Sequence, residues 1–215
     1  MKQWTLPLVA VLMLSACQSA YYGTMEKFGI EKRDILVDRV DEARDSQTEA
    51  QKEFRSALER LDAMLNIDGG NLEEQYNALR DDYEDSKAAA EEVRSRIDEV
   101  DEVANDLFDE WSEELGQYSN DRMRRQSEQQ LRETERRYAE LLRVMERAAD
   151  KMQPVLEKMQ DNVLYLKHNL NAKAIDAIRV EFSNLQREIS VLIKDMEAAV
   201  NESNRFINAM QDPQS

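Results

Sequence analysis

The chain of 215 residues carries 45 acidic against 29 basic side chains, a formal net charge of −16, with 5 glycines, 3 prolines and one cysteine. Few helix breakers and few aromatics are the composition of long helices and coiled coils rather than of sheet, and the acidic balance argues against nucleic acid and anionic lipid as partners. The lone cysteine excludes an internal disulfide.

The first element in chain order is not part of the fold. Lys2 precedes an apolar stretch from Leu6 to Leu14, which ends in Leu14-Ser15-Ala16-Cys17. A positive start, an apolar middle and small residues at the end are the layout of a signal peptide, so residues 1–16 are expected to be removed. The stretch is far short of the roughly 20 apolar residues that cross a bilayer as a helix. The only cysteine directly behind Leu-Ser-Ala resembles the lipobox of bacterial lipoproteins; a chance cysteine behind an ordinary secretory signal is disfavoured, because position, neighbours and cysteine count agree.

That resemblance implies that Cys17 is the lipidation site and the first mature residue, its thiol diacylated and its new amino terminus acylated (palmitate among the chains). Several acyl chains hold a protein firmly at a membrane. Gln18 stands where an Asp commonly retains Gram-negative lipoproteins in the inner membrane, which implies forwarding to the outer membrane. Residues 17–30 form a short tether. Without Lys2 the mature chain has 28 basic and 45 acidic residues, a balance of −17.

Residues 31–211 are read as a helical coiled-coil bundle, because apolar residues recur in steps of three and four along four tracts, and such a seam must meet another helix. The first tract runs Leu36, Val40, Ala43, Gln47, Ala50, Phe54, Ala57, Leu61, Met64, with one polar member. Residues 66–71 then stop and restart the helix: Gly69 and Gly70 suit a left-handed cap, and Asn71 with Glu74 resembles a capping box.

The second tract runs from Leu72 through Tyr76, Leu79, Tyr83, Ser86, Ala90, Val93, Ile97, Val100, Ala104, Leu107, Trp111 and Glu114 to Tyr118. Its register collapses over residues 119–130, where Met123 is the only apolar side chain. A third tract begins at Leu131 and passes through Tyr138, Leu141, Met145, Ala148, Met152, Val155, Met159 and Val163 to Leu166, with Pro154 inside it as an expected kink. The fourth reads Ile175, Ile178, Phe182, Leu185, Ile189, Leu192, Met196, Ala199, Ser203, Phe206, Met210, and residues 212–215 are a loose tail.

With their flanking residues the tracts are expected to build helices of roughly 40–48 residues each, about 60–70 Å at 1.5 Å per residue. The fold class is all-α, an elongated antiparallel coiled-coil bundle of three to four long helices. Residues 72–118 hold 17 acidic and 4 basic side chains and 121–168 hold 9 and 11, so these neighbours should partly neutralise one another. A competing arrangement runs the second helix through 119–130 into the third, as a rod of about 145 Å.

Sites for chemistry are scarce. No two glycines have the spacing of a phosphate loop. A di-iron bundle needs Glu-x-x-His pairs, and the residue three before His168, the only histidine, is Tyr165. Met145, Met152 and Met159 are separated by about 10.5 Å along a helix, too far to share an ion. The acidic run from Asp81 to Glu114 lacks the turn that folds carboxylates into a calcium cage. No catalytic residue, cofactor or metal is expected. The one basic concentration is Arg122, Arg124, Arg125, Arg132, Arg136 and Arg137; its first three members are candidates for contact with an acidic envelope protein or polymer. Leu58, Leu65 and Ile193 are spare apolar positions that could face a second copy.

The segment Tyr21 to Phe54, and within it Glu31-Lys32-Arg33-Asp34-Ile35-Leu36-Val37-Asp38-Arg39-Val40, resembles a family of uncharacterised Gram-negative lipoproteins catalogued as a domain of unknown function. The likeness covers most of the mature chain. It implies envelope location and helical form, and carries no catalytic residues to transfer. The expected function is a non-enzymatic periplasmic scaffold, spacer or interaction module, lipid-anchored at the outer membrane. The alternative is a carrier whose Met- and Ala-rich seams part to hold a lipid or other apolar ligand.

Overall fold

The computed structural model describes residues 32–65, 72–169 and 171–211. They form α1 (Lys32–Leu65), α2 (Leu72–Leu115), α3 (Asp121–His168), a single turn and a half α4 (Ala172–Ala177) and α5 (Arg179–Gln211). Among the described residues there is no strand. The segments 1–16, 17–30, 66–71 and 212–215, and with them the expected signal, tether, capping box and tail, lie outside the described residues.

Neighbouring helices run antiparallel, as their cross-links show. Between α1 and α2, Arg96 reaches Glu42 at 3.3 Å and Ser56 donates to Asp82 at 2.9 Å. Between α2 and α3, Trp111 donates to Ser127 at 2.8 Å and Tyr138 to Asp101 at 2.6 Å. Lys151 pairs with Asp195 at 2.5 Å from α3 to α5, and Arg44 donates to Asn204 at 3.3 Å from α1 to α5. Each long helix therefore has two neighbours, and the four long helices close an up-down-up-down bundle around one seam.

That seam is the heptad pattern made solid. All nine positions of the first tract are buried, from Leu36 to Met64, as are all ten named members of the third. In the second, burial holds from Leu79 to Ala104 and fades at both ends, leaving Tyr76, Leu107 and Trp111 half-buried and Glu114 and Tyr118 exposed. Leu58 and Leu65 pack partly buried against the core and Ile193 is buried within it, so these side chains serve this bundle's own interior. A bundle helix buries three or four positions per two turns, more than the two of a strict seam.

The turn and the rod are decided by residues 116–120. Gly116 and Gln117 close the last turn of α2 by backbone bonds to Glu113 and Glu114 at 3.2 and 2.9 Å. Asn120, in extended backbone at φ −99 and ψ 108, then caps α3: its side-chain oxygen accepts from the amides of Arg122 and Met123 at 3.0 and 3.2 Å. An Asn at this place satisfies two of the four unpaired amides at a helix start. Thus α3 begins at Asp121, ten residues before its seam begins at Leu131, because its first turns project beyond the ends of α1 and α5.

The helices differ in length more than the tracts imply. With 34, 44, 48 and 33 residues, they span about 51, 66, 72 and 50 Å at 1.5 Å per residue. The fourth tract is broken at Ile178, which stands between α4 and α5 and whose carbonyl accepts from the amide of Phe182 at 2.9 Å.

Pro154 does not interrupt α3. Having no amide hydrogen, it leaves the carbonyl four residues earlier, that of Asp150, without its helical donor. Arg94 of α2 reaches this turn, donating to the adjacent carbonyl of Ala149 at 3.1 Å and lying 3.5 Å from the Asp150 carboxylate.

Charge pairing differs from the expectation that α2 is neutralised by α3. The acidic α2 meets basic residues of α1 instead: Lys32 with Glu110 at 2.7 Å, Arg39 with Glu99 at 3.4 Å and Arg60 with Asp82 at 3.1 Å. Three basic residues of α3 pair within their own helix, Arg124 with Asp121, Arg132 with Glu128 and Arg143 with Glu140. The reason is rotational: the sequence balance counts a whole helix, whereas ion pairs form only along the edges where two helices meet.

Tyr138 is the chief polar anchor between α2 and α3. Its ring lies edge-on to Phe108 at 5.5 Å and to Phe206 at 6.4 Å, tying three helices. Burial first, and then the hydrogen bond to Asp101, raise its phenol far above the ordinary value of 10.0. Above about pH 10 the unfolded chain sheds this proton while the folded chain keeps it, so ionisation favours unfolding. We expect stability to fall more steeply between pH 9 and 11 for the native chain than for Tyr138→Phe. Parallel pH curves of the urea midpoint would contradict this.

Candidate functional site: one end of the bundle

Among the described residues, four long antiparallel helices bring four chain features to one end. Lys32 at the start of α1 pairs with Glu110 near the end of α2. Trp111 of α2 bonds Ser127 near the start of α3. The Tyr138–Phe206 contact sets the last turns of α5 beside the same part of α3. The chain's amino-terminal side, the α2–α3 connection and the close of α5 thus share an end, and the α2–α3 hairpin overhangs the others as a crown.

Arg122, Arg124 and Arg125 all lie on this crown and are exposed. Arg124 pairs with Asp121 at 3.0 Å, one turn away on the helix. Glu113 and Glu114, in the last turn of α2, are level with them across the hairpin. Exposed apolar groups accompany the charges: Tyr118 is 39% and Met123 51% accessible. Cys17 lies outside the described residues.

The remaining groups weighed in the sequence fall elsewhere. His168 is an exposed residue in the last turn of α3. Met145, Met152 and Met159 are fully buried in the core. Among the described residues, no group of three His, Cys, Asp or Glu side chains is arranged to hold a metal ion, and no helix is long and apolar enough to cross a membrane. Within the acidic run, Asp82 is buried and held by Ser56 and Arg60 across to α1.

The family model described as a protein of unknown function, DUF2959, matches residues 21–210. The chain belongs to this family. No match is found among the curated proteins. The family span takes in the described helices, the last of them as far as Met210, both sides of the crown and the segment from Tyr21 that precedes α1.

Two features were hidden from the sequence. One is an open groove of about 550 Å³ between α3 and α5, lined by Pro154, Val155, Val191 and Leu192 among others. Its two lysines, Lys151 and Lys158, already pair with Asp195 and Glu188. The other is Gln47, in the seam of α1, fully buried with both amide atoms lacking a hydrogen-bond partner; the buried hydroxyl of Ser86 on α2 also lacks one. A polar residue in a seam is visible as one anomaly in the heptad count, but its isolation is a tertiary fact.

Proposed function

We propose that this chain is a non-enzymatic lipoprotein of the bacterial envelope, anchored through acylated Cys17 at the periplasmic face of the outer membrane and acting as a scaffold, spacer or interaction module. The observation that carries the reading is Leu14-Ser15-Ala16-Cys17 at the end of a short apolar stretch, with the chain's only cysteine in the acyl-accepting place. The bundle supports it: the start of α1, the described helix nearest Cys17 in sequence, opens one end of a shaft about 50–70 Å long. The shaft is closed, with Leu36, Phe54, Leu141, Met145 and Met196 at 0% exposure. A carrier would have to part this seam, which makes the spacer the better-supported reading.

The anchor is tested by fractionating envelopes that carry the native chain or Cys17→Ala. The native protein should sediment with membranes and have the mass of residues 17–215 plus acyl chains, while the variant should appear in the soluble periplasmic fraction. Equal membrane retention of both would overturn the anchor. Crosslinking and pull-down of the same pair identifies partners that depend on placement.

A further inference from the structure

We propose that the α2–α3 crown is a second membrane contact, seated on the phospholipid headgroups beside the Cys17 anchor; this rests on the anchored reading above. Topology supplies the first argument. The crown shares the end of the bundle from which the chain leads back to Cys17, and only residues 18–31 intervene. Fourteen residues reach about 50 Å at the very most when fully extended. From the level of the Lys32–Glu110 pair, the crown projects a further 8–10 Å or so along the axis, at 1.5 Å per residue. Of the described residues, it projects furthest at the end of the bundle where α1 begins.

Chemistry supplies the second. Tyr118 and Met123 are exposed apolar groups on an otherwise polar end, and Trp111 is half-buried just below with its indole N–H held by Ser127. Aromatic side chains with a polar tip concentrate at the membrane–water boundary. Arg122 and Arg125 form no ion pair among the described residues, and both are exposed. Arginine forks suit phosphate oxygens.

Charge distribution supplies the third. The strong acidity of the whole chain argues against an anionic surface, yet residues 116–125 carry three arginines against Asp121 alone. Glu113 and Glu114 stand level with those arginines, so the crown offers both signs. A layer of phosphatidylethanolamine, which presents a phosphate and an ammonium in each headgroup, matches that pattern better than a purely anionic surface does.

The test separates the crown from the anchor. The chain from Cys17 onward is coupled through its single thiol to maleimide lipid in vesicles of phosphatidylethanolamine with a minority of phosphatidylglycerol, so the tether exists whether or not cells acylate Cys17. Trp111 is the only tryptophan left once Trp4 is removed with the signal, and its fluorescence is read against a headgroup nitroxide lipid. A probe at the far end of α3, Leu164→Trp in a Trp111→Phe chain, serves as reference. Trp111 should be quenched at least about twofold more strongly than the far probe, and Arg122→Glu with Met123→Asp and Arg125→Glu should reduce it to the far-probe level. Equal quenching at the two ends, or an undiminished signal in the triple variant, would overturn the proposal. Acyl mass measured on envelope protein tests the anchor separately.

Discussion

Phe182→Ala is expected to destabilise the bundle by about 3–5 kcal/mol, the usual cost of removing a fully buried phenyl ring from a packed core. Phe182 is on α5 at 0% exposure, two residues from Val180, which is 68% exposed on the same helix. The pair isolates burial from helix propensity and sequence neighbourhood. Val180→Ala should change stability by no more than about 0.5 kcal/mol. For a chain of this size each kcal/mol moves the thermal midpoint by about 2–4 °C, so the two variants should separate clearly in urea or heat unfolding followed by circular dichroism. Comparable losses in the two would mean that α5 is not packed as described.

Gln47→Leu is expected to act in the opposite direction. The cross-helix pairs set Gln47 level with Ala90, Ala148 and Ala199, three small residues from the other three long helices, all at most 4% exposed. A long amide thus fills a layer that its neighbours leave narrow, at the cost of two desolvated polar atoms without partners. Leucine has similar bulk and no such atoms, so the gain should be about 1–3 kcal/mol, the penalty of a buried unsatisfied group. A buried polar residue in a helical seam also restricts which registers and assembly states are tolerated. The same variant should therefore lose uniqueness, seen by light scattering as mixed assembly states. Gln47→Glu is the counterpart, since an unpaired buried charge costs more than an amide. A Gln47→Leu chain less stable than the native one would refute this account of the layer.

How far the fold was legible depends on what a heptad encodes. The seam of α1 is legible residue for residue, Gln47 included, because a strict three-four alternation admits one helical face and no other. The third seam was equally plain. The ends were harder. A heptad reports where a helix touches partners, not where it starts, so the ten residues of α3 before Leu131 carry no apolar repeat although Asn120 and Asp121 are good helix-start residues. The break at Ile178 fell inside an unbroken apolar sequence. Leu58, Leu65 and Ile193 are spare in a two-position seam, whereas helices that each face two neighbours bury a wider stripe.

The candidate surface was legible in its parts but not in its place. Arg122, Arg124 and Arg125 stand out in composition, and their location at a bundle tip followed from the register collapse. What the residues alone left open was which end of the shaft that tip occupies, since this depends on helix count. With four long helices the arginines share the end where α1 begins; with the α2–α3 rod they would not. Fading burial at Leu107, Trp111 and Tyr118 likewise reflects the overhang of one hairpin past two shorter helices, a relation between elements that no single tract contains.

The even number of long helices among the described residues also decides how the molecule can be handled. Gln211, the last described residue, closes α5 at the same end as Lys32, so a reporter or affinity handle fused after Ser215 would crowd the crown and anything that reaches Cys17. Labels meant to leave that surface undisturbed belong at the opposite pole, near the Leu65–Leu72 or His168–Ala172 connections. A fusion at the carboxy terminus that abolished membrane attachment would then report obstruction rather than a property of the native chain.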